Sequence, residues 1–174
     1  MSPQGGRGCP QPTTPEFPRP PVAFTDRAGR AVEIDAYDGD ADPLVAMYAD
    51  FDADSRAQGL PPRHEDEIRE WIEGLLAEGH NVVVWHDDRA VGHAVLVPYD
   101  GTSELAIFVH PAYQSVGIGS RLIRVLLGYG QQQDIGSVWL AVERTNHIAM
   151  RLYDSVGFET TTRDRAEYEM ERSL

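Results

Sequence analysis

Two stretches in the N-terminal half of the chain repeat apolar residues at helical spacing. The first is predicted to begin at Asp42-Pro43, because Asp suits an N-cap and Pro lacks an amide that the first turn leaves unused. The second follows a polar loop over 52–62, opens with three acidic residues and stops at Gly79. The first apolar face is formed by Leu44, Met47, Tyr48 and Phe51. The second is formed by Ile68, Trp71, Ile72, Leu75 and Leu76.

From residue 81 onward the pattern is that of β-strands with helices between them. A short hairpin over 22–25 and 31–36 precedes the first helix, and the weakly alternating segment 158–174 has room for two further strands. The strands in between are Val82–Trp85, Val91–Val97, Glu104–Val109 and Ser137–Val142. One helix follows a glycine turn after residue 110, and another runs from near Asn146 to Gly157. This order predicts an α/β (α+β) fold with a mixed sheet flanked by about four helices.

The first 20 residues are rich in proline and glycine and poor in apolar residues. Such a segment cannot bury enough surface to offset its ordering entropy, so we predict a flexible tail over 1–20. The remaining 21–174 is of the size of a single domain. The only cysteine, Cys9, lies in the tail, and nothing near it in sequence would lower its pKa, so we expect no nucleophilic role.

The charge of the chain is strongly negative, with 28 acidic residues against 15 basic ones and a net charge of −13. Every basic residue is arginine. The net charge argues against nucleic-acid binding, and acid-rich, lysine-free composition resembles that of halophilic proteins. The acids around 50–67 could also attract a cationic substrate, and the two explanations stay open. With no membrane-spanning run and no secretory signal, we expect a cytoplasmic protein.

The strongest chemical signal is the stretch from His110 to Arg121, where a strand enters a turn and a helix starts at once. Without side chains at Gly117 and Gly119, backbone N–H groups can close on an anion beside the positive end of the helix. The third glycine of a dinucleotide site is missing, as is the Gly-Lys-Ser/Thr of a nucleotide P-loop. By itself the turn is either a tight strand-to-helix connection or an anion cradle.

Two motifs together resemble the GNAT superfamily of acyl-CoA N-acyltransferases. Gln114-x-x-Gly117-x-Gly119 is similar to its coenzyme A pyrophosphate motif. The second motif reads Asn146-x-x-Ala149-x-x-Leu152-Tyr153-x-x-x-Gly157-Phe158. The resemblance covers 81–160 well, and 31–80 only in element order. It implies a GNAT fold whose sheet splays between the fourth and fifth strands of the family's count, here Glu104–Val109 and Ser137–Val142.

The resemblance implies an N-acetyltransferase that moves the acetyl group of acetyl-CoA to a primary amine by direct attack in a ternary complex. Pantetheine would pair with Phe108 and Val109, and Asn146 would contact its arm, cap a helix, or do both. Arg121 and Arg124 would meet the 3′-phosphate or remain solvated. The pyrophosphate would be bound by the backbone amides of Gln114, Ser115, Val116, Gly117, Ile118, Gly119 and Ser120.

The reaction requires a base, because an alkyl amine with a pKa near ~10 is protonated at neutral pH, and a donor for the departing thiolate. By family position, Tyr153 is the donor, or else a core aromatic. Glu104 is the base, or else a solvated strand-edge residue; Glu143 and His110 are weaker candidates. The histidines show no ligand spacing, so we expect no metal.

Two other functions stay open at this point. One is a non-catalytic GNAT-fold sensor that binds acyl-CoA, and the other is an unrelated α/β protein whose glycine turn binds another phosphate. For an enzyme, the acceptor is either a small-molecule amine or a protein amine. The resemblance is also compatible with a homodimer.

Overall fold

The computed structural model describes residues 14–174, which form one mixed sheet flanked by four α-helices in that part of the chain. The sheet has eight strands in the order β1-β2-β3-β4-β5-β6-β8-β7. The strands are β1 Val22–Thr25, β2 Ala31–Ala36, β3 His80–His86, β4 Arg89–Tyr99, β5 Thr102–Val109, β6 Ser137–Glu143, β7 Glu159–Arg163 and β8 Glu167–Ser173. The helices are α1 Asp42–Ala49, α2 Glu65–Glu78, α3 Ile118–Gln132 and α4 His147–Ser155, with a 3-10 turn at Pro111–Tyr113.

This architecture confirms the predicted fold class and the position of every predicted element. The start of α1 differs in detail, because Asp42 is its first residue and Ala41 is the N-cap, which makes no side-chain hydrogen bond. Phe51 lies just beyond the last turn of α1 and is nevertheless buried. The N-terminal hairpin adds a strand before those of the family's count, so the strands expected to splay are β5 and β6.

The helices pack on both faces of the sheet and hold its first half from two sides. On one face α3 buries Leu122, Ile123 and Leu126 completely against the strands. On the other face α1 and α2 enclose a second core around Tyr48 and Ile72. Strands β3 to β5 are therefore packed between helices on both faces of the sheet.

A buried polar chain of three side chains runs between α1 and β3. Asn81 Nδ2 donates to the carbonyls of Leu75 and Gly79 at 2.9 and 3.0 Å, so its Oδ1 accepts from His93 Nε2–H at 2.8 Å. His93 Nδ1 then accepts from the Tyr48 hydroxyl at 2.7 Å. Burial lowers the pKa of His93 to about 3 and raises that of Tyr48 well above its ordinary value. The chain is neutral, and its donors and acceptors satisfy one another.

The segment before β1 lies against α3. The side chain of Gln131 holds this segment with two hydrogen bonds. Its Oε1 accepts from the Phe17 N–H at 3.0 Å, and its Nε2 donates to the Pro15 carbonyl at 2.9 Å. The Phe17 ring packs on the main core under the guanidinium of Arg172, at 4.9 Å. We predicted a flexible tail over 1–20, and these contacts of Pro15 and Phe17 are not expected for such a tail. They form because the Phe17 ring packs on an apolar surface. Residues 1–13, including Cys9, lie outside the described residues.

Among residues 14–174, no helix has the length and apolar character that crossing a bilayer demands.

Candidate active site

Strands β5 and β6 are parallel neighbours that separate after two residue pairs. Ser103 faces Val138 and Glu104 faces Trp139, and beyond them no pairing joins the two strands. Each strand keeps its other partner, because β4 follows β5 to Val109 and β8 follows β6 to Glu143. The splay predicted from the family resemblance is therefore present, and it opens a cleft of about 230 Å³.

The walls of the cleft come from five parts of the chain. They are the 51–60 segment after α1, the length of β5, Gln114 after the 3-10 turn, the end of β6 and the first turns of α4. The lining residues are Phe51, Ser55, Ala57, Gln58, Leu60, Glu104, Leu105, Ala106, Ile107, Phe108, Val109, Gln114, Ala141, Val142, Glu143, Asn146, Ala149 and Tyr153. The paired end of the two strands is closed by Thr102, which donates through Oγ1 to the Ser137 carbonyl at 2.9 Å.

The cleft edge of β5 carries backbone groups that face no neighbouring strand. The amide of His110 donates to the Val91 carbonyl on β4 at 2.9 Å, so by strand alternation the backbone of Val109 points toward the cleft. Ile107 points the same way, whereas Phe108 pairs with β4. The Val109 carbonyl accepts from the Gln114 side chain at 3.0 Å. The free edge is therefore centred on Ile107 and the Val109 amide, and Phe108 lines the cleft without offering it a backbone group.

The glycine turn presents a row of unpaired amides. Ser115 and Gly117 have left-handed φ values of 63° and 91°, which turn successive N–H groups toward one side. Gly117 is also the N-cap of α3 and gives that helix no side-chain cap. Among residues 14–174, no acceptor pairs with the amides from Gln114 to Ser120. These amides and the helix dipole are suited to holding an anion.

Tyr153 is a residue of α4 that lines the cleft. The residue is only 8% exposed, its ring packs 5.9 Å from that of Phe158, and burial raises its pKa to about 12. Within residues 14–174 its hydroxyl makes no hydrogen bond. The hydroxyl is not among the fully buried polar atoms that lack a partner, so it is reached from the cleft and is a donor available to a ligand.

Glu104 lies where β5 and β6 part. It is the last β5 residue paired with β6, and both it and Glu143 line the cleft. Partial burial raises the pKa of Glu104 above the ordinary carboxyl value. Glu143 is differently placed, because its Oε1 accepts from the Gln58 amide at 3.1 Å. Glu104 is thus the carboxylate in the cleft that carries no protein hydrogen bond within the described chain.

His110, the other weaker base candidate, is not in the cleft. Its Nδ1 accepts from the Ala112 amide at 3.0 Å, so the proton sits on Nε2, which donates to Asp50 at 2.9 Å. Both ring nitrogens are occupied, and the residue is buried under Phe51 and Tyr113. This arrangement leaves no lone pair for a substrate, so His110 is excluded as the base.

The remaining predicted residues divide into those that meet at the cleft and those beside it. Asn146 does line the cleft, and it also caps α4 by accepting from the Ala149 amide at 3.1 Å. Residues 115–120 continue from Gln114 and belong to the amide row rather than to the cleft lining. Arg124 is hydrogen-bonded to Ser120, and Arg121 stacks over Phe24 at 5.1 Å.

Sequence reasoning did not single out the loop residues that cover the cleft. Ala57, Gln58 and Leu60 line it, and Gln58 ties the loop to the sheet by also donating to Glu167 at 2.7 Å. The only sequence signal was the position of this polar loop between the first two helices. In residues 14–174, no group of three or more His, Cys, Asp or Glu side chains is arranged to hold a metal ion.

A cleft with one free strand edge, a row of free amides at its mouth and a phenol above it defines the class of acyl-CoA N-acyltransferases. The sequence model of the Acetyltransferase (GNAT) family matches residues 44–158, so the chain belongs to this family. It is an acyltransferase that uses acetyl-CoA to acetylate an amine.

Comparison with individual proteins agrees with this assignment. The chain is 30% identical over 106 residues to the [ribosomal protein bS18]-alanine N-acetyltransferase of Haemophilus ducreyi, covering 58% of this chain and 73% of that protein. It is 26% identical over 147 residues to the L-methionine sulfoximine/L-methionine sulfone acetyltransferase of Salmonella typhimurium, covering 80% of each. The fold matches the structure of yncA from Salmonella typhimurium with its cofactor acetyl-CoA at a TM-score of 0.66 and 21% identity, covering 82% and 94% of the two chains.

Proposed function

We propose that acetyl-CoA binds with its diphosphate on the amides of residues 114–120 and its pantetheine arm along the open edge of β5. The observation that carries this proposal is the separation of β5 from β6 after Glu104, together with the unpaired amides of the adjoining turn. Gly119 supports it, since an added Cβ would meet only Leu152 and Val109, each at 3.9 Å. The protein itself therefore leaves the space beside Gly119 largely open.

We propose that Glu104 removes the proton from the acceptor amine, directly or through water. An amine with a pKa near ~10 cannot attack a thioester until it is deprotonated. The raised pKa of Glu104 moves this carboxylate toward the range in which a base works well at neutral pH. The carboxylate also attracts the protonated amine into the cleft before the reaction.

Tyr153 then donates a hydrogen bond to the departing thiolate. With a pKa of about 12 the phenol keeps its proton throughout the neutral range, so it is a donor at every pH at which the enzyme works. Free amides on β5 are placed to stabilise the oxyanion of the tetrahedral intermediate. In this proposal the amine attacks the thioester directly, in a ternary complex of enzyme, acetyl-CoA and acceptor.

The acceptor we propose is a cationic amine, on either a small molecule or a protein. Glu104 and Glu143 line the cleft, and Glu167 adjoins it through Gln58, so the acceptor side carries negative charge. By their names, the two relatives described above acetylate an alanine of ribosomal protein bS18, and L-methionine sulfoximine or L-methionine sulfone. Coenzyme A release measured with a panel of polyamines, amino-acid derivatives and peptides will separate the two acceptor types.

Acetyl-CoA binding is tested by Gly117→Glu, with Gly101→Glu as the matched control. Both glycines have left-handed φ values, 91° and 79°, so both substitutions carry similar backbone strain. Gly101 lies in the β4–β5 turn, at the other end of β5, with open space around it. A carboxylate at 117 fills and charges the amide cradle, so we expect CoA affinity to fall about 100-fold or more by calorimetry.

The control separates cradle filling from loss of fold. Gly101→Glu is expected to bind CoA as the wild type does, and both variants are expected to unfold at similar temperatures. Equal CoA binding by wild type and Gly117→Glu would show that the diphosphate lies elsewhere. Tight CoA binding with no CoA release across the amine panel would instead indicate a non-catalytic sensor.

We also propose that the acidic surface adapts the enzyme to high salt in the cytoplasm. Net repulsion at −13 is screened within ~3 Å in molar salt, so stability is expected to rise between 0.1 and 3 M KCl. Full stability at 0.1 M KCl would contradict the halophilic proposal. A homodimer stays a prediction, to be checked by sedimentation.

A further inference from the structure

The turn between β1 and β2 lies against the glycine turn that follows β5. The amide of Arg27 donates to the Val116 carbonyl at 3.0 Å. Arg30 stacks over the Tyr113 ring at 3.9 Å and donates to the Ala112 carbonyl at 3.3 Å. The hairpin is thus joined to the cradle at both ends of the Ala112–Val116 segment.

The hairpin turn is itself held in shape by a buried carboxylate. Asp26 is 5% exposed and accepts from the amides of Ala28 and Arg30 at 2.9 and 3.0 Å. It also accepts from Arg30 Nε at 2.8 Å, so the Arg30 guanidinium is committed to the turn. The residue between these anchors, Arg27, has its backbone position fixed by its neighbours.

The side chain of Arg27 lies over Gly117. Its Nε, Cζ and Nη2 atoms are 3.6, 3.8 and 3.9 Å from the position that a Cβ on Gly117 would occupy. These nearly equal distances of three coplanar atoms indicate that the face of the guanidinium packs against the glycine. Within residues 14–174 the Arg27 side chain makes no hydrogen bond or ion pair, which distinguishes it from Arg30 and Arg124.

On these observations we propose that Arg27 is a phosphate-binding residue that pairs with the diphosphate of coenzyme A. The inference rests on the proposed function, since it needs the diphosphate on the amides around Gly117. Those amides supply only partial charges, whereas a guanidinium supplies a full one and binds phosphate through paired N–H groups. The family model begins at residue 44, so this contact comes from a hairpin that precedes the matched region.

The test compares three ligands on the full chain: CoA, 3′-dephospho-CoA, which keeps the diphosphate, and pantetheine, which has no phosphate. Calorimetry serves for the two nucleotides and an NMR titration for pantetheine. Arg27→Ala is expected to weaken CoA and 3′-dephospho-CoA equally, by about tenfold or more, and to leave pantetheine unchanged. Arg27→Lys is expected to recover part of the loss, because it restores the charge without the planar fork.

Arg69→Ala is the matched control, because it removes the same charge from α2, where Arg69 pairs with Asp42 at 2.8 Å. It is expected to change none of the three affinities. Equal CoA binding by wild type and Arg27→Ala would overturn the proposal, as would a loss confined to CoA, which would assign Arg27 to the 3′-phosphate. Equal weakening of pantetheine would also overturn it, by showing a distorted loop. If the wild type itself fails to bind CoA, the proposed function fails instead.

Discussion

The molecule contains two groups of polar side chains that differ in how fully they are paired. The chain Tyr48–His93–Asn81 is buried, and its donors and acceptors have partners at 2.7 to 3.0 Å. At the cleft, by contrast, Tyr153 has a free hydroxyl and Glu104 no protein hydrogen bond within residues 14–174. The amides that follow Tyr113 are free as well.

This difference distinguishes polar side chains that stabilise the fold from polar groups that are available to bind a ligand. A closed network leaves nothing for a ligand to pair with, and its members act on stability by holding α1 to the sheet. The cleft groups have no partner within residues 14–174, so a ligand that enters the cleft can hydrogen-bond to them. Substitutions in the first group should therefore change unfolding, and those in the second should change binding and turnover.

The largest effect expected in the closed network is on acid stability. Burial lowers the pKa of His93 in the folded chain to about 3, compared with 6.5 in the unfolded chain. The contribution of the neutral His93 to the free energy of unfolding is therefore complete above pH 6.5 and is lost as the pH falls toward 3. Below pH 6.5 the His93 imidazole is protonated in the unfolded chain but stays neutral in the folded chain. The free energy of unfolding therefore falls by ~1.4 kcal/mol per pH unit. Urea unfolding between pH 7 and 4 is expected to be less steeply pH-dependent in His93→Gln.

The exposed His64 provides the control for that experiment. His64→Gln is expected to keep the pH dependence of the wild type, because the His64 side chain is exposed and makes no hydrogen bond within residues 14–174. Parallel stability curves for wild type and His93→Gln would refute the assignment of a neutral, buried His93.

A matched pair of tyrosine substitutions tests the comparison directly, since each removes one hydroxyl. Tyr153→Phe is expected to lower kcat about 100-fold with little change in unfolding temperature, because its hydroxyl has no protein partner. Tyr48→Phe is expected to destabilise by about 1–2 kcal/mol, because it leaves His93 Nδ1 unpaired, and to keep kcat within about twofold. Thermal unfolding measures the stability of both variants, and steady-state kinetics measures their kcat. An unchanged kcat in Tyr153→Phe would show that the Tyr153 hydroxyl has no role in the mechanism.

The smallest effect is expected from Glu104→Gln, at about tenfold in kcat at neutral pH. In the wild type, kcat is expected to rise with pH as Glu104 loses its proton, with an apparent pKa above that of an ordinary carboxyl. The variant is expected to lack this rise. Its stability at pH 7 is expected to hold, because burial disfavours the charged form that Gln replaces. Glu143→Gln is the control. A fall in kcat in Glu143→Gln but not in Glu104→Gln would identify Glu143 as the base instead.

Much of the fold followed from local pattern. Apolar spacing located the helices and strands, and the Asn146 position predicted the cap of α4 that the structure shows. Gly117, which the sequence singled out because it has no side chain, lies at the start of α3 and has a left-handed φ of 91°. Such features depend on residues within one or two turns of chain, which is the range over which periodicity and capping operate.

Assignments that depend on distant partners could not be predicted in this way. His110 was a candidate base until Asp50, 60 residues earlier, was seen to hold its second nitrogen. Nothing in the local sequence of Arg27 indicates that it lies over Gly117. The sequence by itself determined which segments form helices, strands and an amide-rich turn, because those follow from neighbouring residues. Only the tertiary structure decided which polar groups are paired and which are left free, because burial and long-range packing set the partners of each group.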